Sequence, residues 1–291
     1  VEVNRAASDQ TLVDYGTGKT VRSVRTGPSM TTELTLKASD GILTRATGNI
    51  KLDVFGFLQA EGSFGIEKRT NQTITVNTGT AATGTTVAVD ELLIGGAGLS
   101  GFIGMGGGTA NATGLSLTGV NLGLALYTER VTGSATAKKW TSAQASVASA
   151  SFTGITDLSV TVTSLTVEVN RAASDQTLVD YGTGKTVRSV KTGPSTTTEL
   201  TLKASDGILT RATGNIKIDV FGFLQAEGSF GIEKRTNQTI TVNTGTAATG
   251  TTVSVDELLI GGAGLTGFIG MGGGTANATG LSLTGVNLGL A

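Results

Sequence analysis

Two glycine-rich stretches have spacings that suggest ligand chemistry. Residues 16–20 read GTGKT, similar to the end of a phosphate-binding P-loop, and residues 96–101 read GAGLSG, which fits the dinucleotide fingerprint G-x-G-x-x-G. The first stretch lacks the leading glycine, because Val13 stands at that position, and a strand pattern follows it. The second is followed by more glycines, with no acidic residue about 20 positions on. Both sites need a helix N-terminus, so we predict a glycine turn and a glycine-rich strand instead.

Carboxylates are the other candidate ligands. Asp40, Asp90 and Glu91 are weak candidates for calcium, because no EF-hand loop and no glycine-rich nonapeptide surrounds them. Solvated surface charge is the alternative interpretation.

The absence of Cys and His excludes much enzyme chemistry. The chain has 0 Cys and 0 His, which excludes disulfides, thiolate catalysis, zinc ribbons and a Ser-His-Asp triad. We therefore predict that the protein is not an enzyme, and we expect no catalytic residue, no cofactor and no metal site beyond the weak calcium candidates.

The sequence repeats itself. Residues 1–166 form one full repeat, and residues 167–291 are a partial second copy that is equivalent to residues 1–125. The copies align without a gap, and they differ at five pairs of positions: Arg25/Lys191, Met30/Thr196, Leu52/Ile218, Ala88/Ser254 and Ser100/Thr266.

The charges suit a repetitive array better than a nucleic-acid binder. A full repeat has equal numbers of acidic and basic residues, so many copies could be joined without accumulating net charge. No basic stripe is present to bind phosphates, so we predict no nucleic-acid partner. No apolar run reaches about 18 residues, so we also predict no membrane-spanning segment.

Alternating residues predict long strands. In residues 34–66 the even positions are mostly apolar or small and the odd positions are mostly polar. This alternation predicts that the even positions form a buried face of the sheet and the odd positions a solvent-exposed face. Gly41 predicts a bulged hairpin that pairs Leu34 with Ala46. The strand after it could run for about 25 residues, unless glycines such as Gly56 divide it. Changes of phase at Gly119 and near residues 163–164 predict β-bulges.

Long strands leave unpaired edges, which closure of the sheet or pairing with the next repeat would remove. We predict an all-β fold of long antiparallel strands in a repetitive closed β-tube or β-rod, with strands that cross the repeat boundary at Val167. The alternative is a series of tandem β-sandwich domains. Both chain ends fall inside strand patterns, so we expect the chain to be a section of a longer polypeptide.

Several stretches, which include residues 53–68, 119–126, 151–158 and 167–173, resemble repeats of giant tandem-repeat bacterial surface proteins, the LEPR-XLL-type adhesin-like proteins. The resemblance covers the whole repeat. It implies export and a role at the cell surface or in extracellular fibres.

We therefore expect a non-catalytic structural segment of a giant extracellular fibre or tube, with a mechanical or scaffolding role. Its expected partners are neighbouring repeats of the same chain and identical chains in a fibre. The alternative is the stalk of a large bacterial adhesin, made of separate β-sandwich domains, that presents a binding tip elsewhere.

Overall fold

A computed structural model describes residues 1–19, 22–25, 29–79, 83–133, 135–245 and 249–291. Within these residues the chain is all-β, with two short 3₁₀ turns at Ala38–Asp40 and Ala204–Asp206. The strands of the first copy and of the junction are β1 (Glu2–Asn4), β2 (Ser23–Arg25), β3 (Thr31–Glu33), β4 (Leu43–Val54), β5 (Leu58–Asn77), β6 (Thr85–Met105), β7 (Thr113–Glu129), β8 (Lys139–Thr153) and β9 (Leu158–Arg171). Those that follow are β10 (Leu178–Val179), β11 (Ser189–Lys191), β12 (Thr197–Glu199), β13 (Ile208–Val220), β14 (Leu224–Val242), β15 (Thr251–Met271) and β16 (Thr279–Leu290).

One antiparallel sheet contains all the long strands. In the described residues its eleven strands follow the order β1-β4-β5-β6-β7-β8-β9-β13-β14-β15-β16, and β10 also pairs with β5. The hairpins β2-β3 and β11-β12 form separate two-stranded sheets. In the part of the chain that the structure describes, no ladder joins β16 to β1 or β4, so the sheet is open. The all-β antiparallel prediction is confirmed, and a closed tube is not shown.

The sheet continues through the repeat boundary. β9 contains Val167, and it pairs with β8 of the first copy on one side and with β13 of the second copy on the other. The two copies therefore share one sheet.

The predicted bulges are present. Ser164 has a φ of 52°, and the register of β9 with β13 shifts at this point, between Thr213 and Asn215. Gly119 has a φ of 62° beside the register shifts between β6 and β7. An extra residue in one strand reverses which face the following side chains occupy, which is the phase change seen in the sequence.

The predicted hairpin around residue 41 is wrong in its pairing. Gly41 does have a positive φ of 73°, but it follows a 3₁₀ turn, and Ala46 pairs with Ile66 of β5 instead of Leu34. Of the two predictions for the strand that follows, the one in which Gly56 divides it is confirmed, because a tight turn at Phe55 and Gly56, with φ of 53° and 68°, separates β4 from β5.

Near its end at Glu67, the alternating segment buries the face opposite to the one predicted, whereas around Lys51 and Leu52 both faces are exposed. Ile66, at an even position, is 38% exposed, whereas the side chain of Glu67 is fully buried. Residues 172–207 of the second copy lie on the face of the first copy's sheet that carries Glu67, Val89 and Leu93, and they exclude water from these side chains.

The hydrophobic core lies between the two copies. It joins strands β5 to β8 of the first copy with residues 172–207 of the second. Its buried members are Ile74, Val76, Val89, Leu93, Ala125, Tyr127, Trp140, Ala173, Val179, Tyr181, Val190, Leu200 and Leu202. The described residues contain no helix that is long and apolar enough to cross a membrane.

Candidate functional site

Residues 172–207, here called the docking segment, carry the contacts that join one copy to the next. They include β10, β11, β12 and the second 3₁₀ turn. Val179 and Val190 of this segment are both 0% exposed, whereas the identical Val13 and Val24 of the first copy are 54% and 48% exposed. Because the residue types are the same, the difference arises from the sheet on which the docking segment lies.

The docking segment adds a short strand to β5. Val179 lies opposite Val76 in an antiparallel pair. The amide of Asp180 donates to the carbonyl oxygen of Thr75 at 3.0 Å, and the amide of Thr75 donates to Oγ1 of Thr186 at 2.7 Å. This edge of β5 is available because β4 ends its pairing opposite residue 69, eight residues before the end of β5. Backbone pairing of this kind fixes the register of the docking segment.

A row of three glycines, here called the glycine row, forms the surface against which β11 packs. Gly65, Gly95 and Gly123 lie opposite one another on β5, β6 and β7. A Cβ atom would lie 2.8 Å from the carbonyl carbon of Lys191 at Gly65 and 3.0 Å from it at Gly95, and at Gly123 it would lie 3.2 Å from the side chain of Leu200. Glycine weakens a strand by about 0.5–1 kcal/mol, and inside a strand it often marks a close backbone approach. Here the approaching backbone is that of the next copy.

A buried ionic cluster lies beside the glycine row. Glu67 Oε2 accepts a hydrogen bond from Arg45 Nε at 2.8 Å, and Glu67 also pairs with Arg69. Arg45 in turn donates to Glu2 at 3.0 Å. Burial disfavours the Glu67 carboxylate, but the hydrogen bonds from Arg45 and Arg69 outweigh it and hold its pKa below the ordinary value.

The docking segment supplies one arginine to this cluster. Arg188 Nε donates to Glu91 Oε2 at 2.6 Å, and its Nη2 donates to the carbonyl oxygen of Thr73 at 2.8 Å. The side chain of Glu91 is 0% exposed, and its other charged neighbour is Arg69 at 3.7 Å. A carboxylate that has been removed from water needs such a partner, so the first copy's sheet requires a cation from the second copy.

Aromatic residues complete the contact between the docking segment and the first copy's sheet, here called the joint. Trp140 Nε1 donates to Thr177 Oγ1 at 3.1 Å, and the hydroxyl of Tyr181 donates to that of Tyr127 at 3.1 Å. Burial raises the pKa of Tyr181 to about 12 and raises that of Tyr127 well above its ordinary range. Both phenols are therefore neutral hydrogen-bonding groups at neutral pH.

Among the described residues, no segment lies on the equivalent surface of the second copy. Ile240 is 39% exposed and Val242 43%, whereas their counterparts Ile74 and Val76 are 1% and 4% exposed. The Glu257 side chain is 21% exposed, in place of 0% for Glu91 in the first copy.

The glycine row of the second copy is open as well. Gly231 lies opposite Gly261, and Gly261 lies opposite Gly289. A Cβ atom on Gly289 would meet nothing within 4 Å, and one on Gly261 would come no closer than 4.0 Å, to the carbonyl oxygen of Leu288. The glycine row is therefore covered by the docking segment in the first copy and uncovered in the second.

The three calcium candidates have protein partners in the structure. The carboxylate of Asp40 accepts from the amide of Lys37 at 3.0 Å, and that of Asp90 accepts from Arg130 at 2.8 Å. Glu91 belongs to the ionic cluster of the joint. Among the described residues, no group of three or more Asp, Glu, His or Cys side chains could hold a metal ion. Calcium binding at these residues stays a prediction.

The two glycine motifs lie in a turn and in a strand. Residues 96–101 lie inside β6, so no helix follows them. Thr20 and Val21 lie outside the described residues. Before them, the amide of Lys19 closes a turn on the carbonyl oxygen of Gly16 at 3.0 Å, and Lys185 and Gly182 form the same turn in the second copy. The turn and strand interpretations are confirmed.

Sequence reasoning missed the joint. The glycine row becomes visible only when the strand register brings Gly65, Gly95 and Gly123 together. One available signal was a charged residue, Glu67, in the middle of a long strand pattern.

Comparison with protein-family models finds no family that matches the chain, and comparisons with curated proteins and with solved structures find no match either.

Proposed function

We propose that the chain is a non-catalytic structural element, a segment of a repeat array with a mechanical or scaffolding role. The observation that carries this proposal is the position of the core, which lies between the copies. A repeat whose apolar side chains are buried only by its neighbour is stabilised by being in an array. The neutral charge of the repeat supports the same role, because it lets copies accumulate without repulsion.

The array extends in two ways at each junction. The sheet passes through β9 from one copy to the next, and the docking segment covers the preceding copy's sheet. These two connections oppose rotation of one repeat against another. They favour a continuous rod over the stalk of separate β-sandwich domains.

We further propose that additional copies enclose the even-numbered face as the interior of a tube. Ile50, Leu52 and Ile66 on this face are 37%, 41% and 38% exposed. Moving a fully exposed side chain of this size to full burial stabilises by about 1.5–3 kcal/mol, so burial of the exposed part of each of these would contribute about 0.6–1.2 kcal/mol and favour a closed arrangement over an open one. The resemblance to giant bacterial surface proteins supports an extracellular or cell-surface location in a fibre.

Electron microscopy of an array tests the proposal. An array of four full repeats is purified and imaged in negative stain, beside arrays that carry Gly95→Ala or Gly101→Ala at the equivalent position of every repeat. Gly101 is the matched control, because its Cβ atom would meet only the Gln59 carbonyl oxygen, at 3.4 Å.

The parent and Gly101→Ala arrays should form smooth rods whose length increases by a constant step per repeat. The Gly95→Ala array should lose this regularity. Separate beads at the repeat spacing in the parent array would overturn the proposal and favour the adhesin stalk.

A further inference from the structure

Large apolar side chains are exposed at two adjacent hairpin turns at one end of the sheet. The turn between β4 and β5 carries Phe55 and Phe57, which are 102% and 58% exposed, and the turn between β6 and β7 follows Met105, which is 70% exposed. These three side chains are here called the tip patch. Scattered apolar residues on a surface are ordinary, whereas contiguous apolar patches mark interaction sites. The second copy carries the same patch at the equivalent turns, with Phe221 65%, Phe223 56% and Met271 73% exposed.

Hydrogen bonds hold the tip patch in a fixed shape. The amides of Gly104 and Gly107 donate to the carbonyl oxygens of Phe57 and Gly56 at 2.9 and 2.8 Å, and these bonds tie the two turns together. The carboxylate of Asp53 accepts from the amide of Gly56 at 2.8 Å. The second copy has the same three hydrogen bonds. A surface that is ordered before it binds loses little conformational entropy on binding.

The backbone of the turn gives Phe55 no role in folding. Phe55 and Gly56 are the central residues of a two-residue turn, which the amide of Phe57 closes on the carbonyl oxygen of Val54 at 2.9 Å. Both have a positive φ, and Phe221 repeats this conformation with a φ of 56°. Turns of this kind favour Asn-Gly, because a bulky side chain is strained at a positive φ. A strained aromatic residue that is also fully exposed contributes no burial to its own fold, so its role lies in contact with another molecule.

Adjacent copies in the same chain leave the tip patch uncovered. The patch of the first copy is exposed although the second copy follows it, and the patch of the second copy is exposed although the first copy precedes it. The joint uses another part of the strands, because β10 pairs with the opposite end of β5, at Val76 and Asn77. The occupant of the patch therefore comes from another molecule.

We propose that the tip patch binds the tip patch of a second copy of this chain, so that repeat arrays associate side by side. The proposal rests on the proposed scaffolding function and deepens it, because it names the surface through which arrays would bind one another.

The size of the patch favours a partner that is itself repetitive. The exposed parts of the two phenylalanines in one patch come to roughly 250–300 Å², whereas each partner in a stable interface contributes about 800 Å². A single contact is therefore weak. Contacts that are made together by linked modules raise the affinity by about 10²–10⁴-fold. A second copy of this chain carries the patch at the same spacing, so it meets this requirement by construction.

The composition of the patch favours a protein over a lipid surface. Membrane-interface sites combine Trp or Tyr with Lys or Arg. The two turns, residues 54–57 and 105–112, contain none of these four residue types and no acidic residue. The nearby Lys51 is paired with Glu61 at 3.2 Å. Two such uncharged apolar surfaces can meet without electrostatic repulsion.

Sedimentation velocity on the full chain tests the proposal with variants at the turns. Phe55→Asn and Phe221→Asn each remove the aromatic ring from one patch. Because Asn tolerates a positive φ, these variants should unfold at a higher temperature than the wild-type chain in circular dichroism. Loss of association in them would then not be a consequence of misfolding.

Two further variants complete the design. Met105→Ser combined with Met271→Ser alters both patches without changing the central residues of the β4–β5 and β13–β14 turns, and it decides the question if the Asn variants are not folded. Met30→Thr is the matched control, because it removes a side chain that is 66% exposed outside the patch, and the second copy has Thr196 at this position.

The wild-type chain and Met30→Thr should associate as the concentration rises to about 100 μM, where a contact in the micromolar range is mostly occupied. Phe55→Asn or Phe221→Asn alone leaves one patch per chain and should stop at dimers. The double variant Phe55→Asn/Phe221→Asn should remain monomeric, with association weakened at least about tenfold.

A wild-type chain that stays monomeric overturns the inference, and so does association that survives in the folded double Asn variant, since it would then use another surface. Flotation with phosphatidylcholine vesicles checks the lipid alternative. Vesicle binding that the double Asn variant loses, without association between wild-type chains, would assign the patch to a membrane and overturn the inference as well.

None of these results affects the proposed function, which the covalent four-repeat array tests separately. Conversely, beads in that array, together with association that depends on Phe55 and Phe221, would overturn the function and leave the contact between patches standing.

Discussion

The comparison of Gly95→Ala with Gly261→Ala measures what the glycine row contributes to the joint. The two glycines are equivalent in the two copies and have nearly the same neighbours in sequence. A Cβ atom on Gly95 would overlap the backbone of Lys191, whereas one on Gly261 has no neighbour closer than 4.0 Å. The same substitution therefore tests a glycine row that is covered by the docking segment and one that is uncovered.

The magnitude follows from two opposing effects. Alanine should strengthen a strand over glycine by about 0.5–1 kcal/mol at either position. The overlap at Gly95 should cost about 1–3 kcal/mol, as is typical of an overpacked interior. Because the strand effect is common to both variants, the difference between their free energies of unfolding isolates the overlap, and we expect Gly95→Ala to be less stable by about 1–3 kcal/mol.

Urea unfolding followed by tryptophan fluorescence is the assay. The chain has 1 Trp, and this residue, Trp140, is 1% exposed and hydrogen-bonded to Thr177 of the docking segment. Its emission therefore reports directly on undocking. The measurement uses a low protein concentration, so that contacts between chains do not contribute. Equal stabilities of the two variants would refute the assignment of the glycine row as the surface against which the next copy packs.

Three further predictions concern the charged and phenolic groups of the joint. Arg188→Ala should lower the free energy of unfolding by about 3 kcal/mol, because it leaves the Glu91 carboxylate buried without its nearest cation. The control, Arg22→Ala in the first copy, should change the free energy of unfolding by less than about 0.5 kcal/mol. Equal effects of the two substitutions in urea unfolding would contradict the difference in burial. The folded-state pKa of Glu67 lies below its ordinary value of 4.5, so its contribution to stability is fully present above pH 4.5 and is lost as the pH falls through the folded-state pKa. Glu67→Gln should therefore make the free energy of unfolding less dependent on acid in titrations followed by circular dichroism. An unchanged acid profile would count against this role of Glu67. The pKa of Tyr181 is raised from 10.0 to about 12, so the stability that this phenol contributes is complete below pH 10.0 and is lost as the pH rises towards 12. Tyr181→Phe should therefore shift the alkaline change in Trp140 fluorescence to higher pH. An identical transition in both proteins would rule out this phenol as the cause.

Local structure could be predicted wherever the signal was local. The phase changes located the bulges at Gly119 and Ser164, because a bulge reverses the faces of the side chains that follow it. A turn was correctly placed at Gly41, where φ is 73°. The pairing of its neighbours was not, because pairing depends on which distant strand competes for the same edge, and β5 takes Ala46 in place of Leu34.

The candidate site could not be predicted, because it depends on register and on a second copy. Gly65, Gly95 and Gly123 are far apart in sequence and share no motif, and only antiparallel pairing places them in one row. Asp40, Asp90 and Glu91 were selected for their ligand chemistry, and of these only Glu91 lies in the joint.

The sequence by itself determined that the protein is a neutral, nearly exact repeat of alternating strands without Cys or His, since these properties follow from composition and period. The tertiary structure alone decided which face of those strands is buried. Alternation defines two faces, but it does not say what covers either one. The docking segment of the second copy lies on the face that carries Glu67, and for that reason Glu67 is inside and Ile66 is exposed.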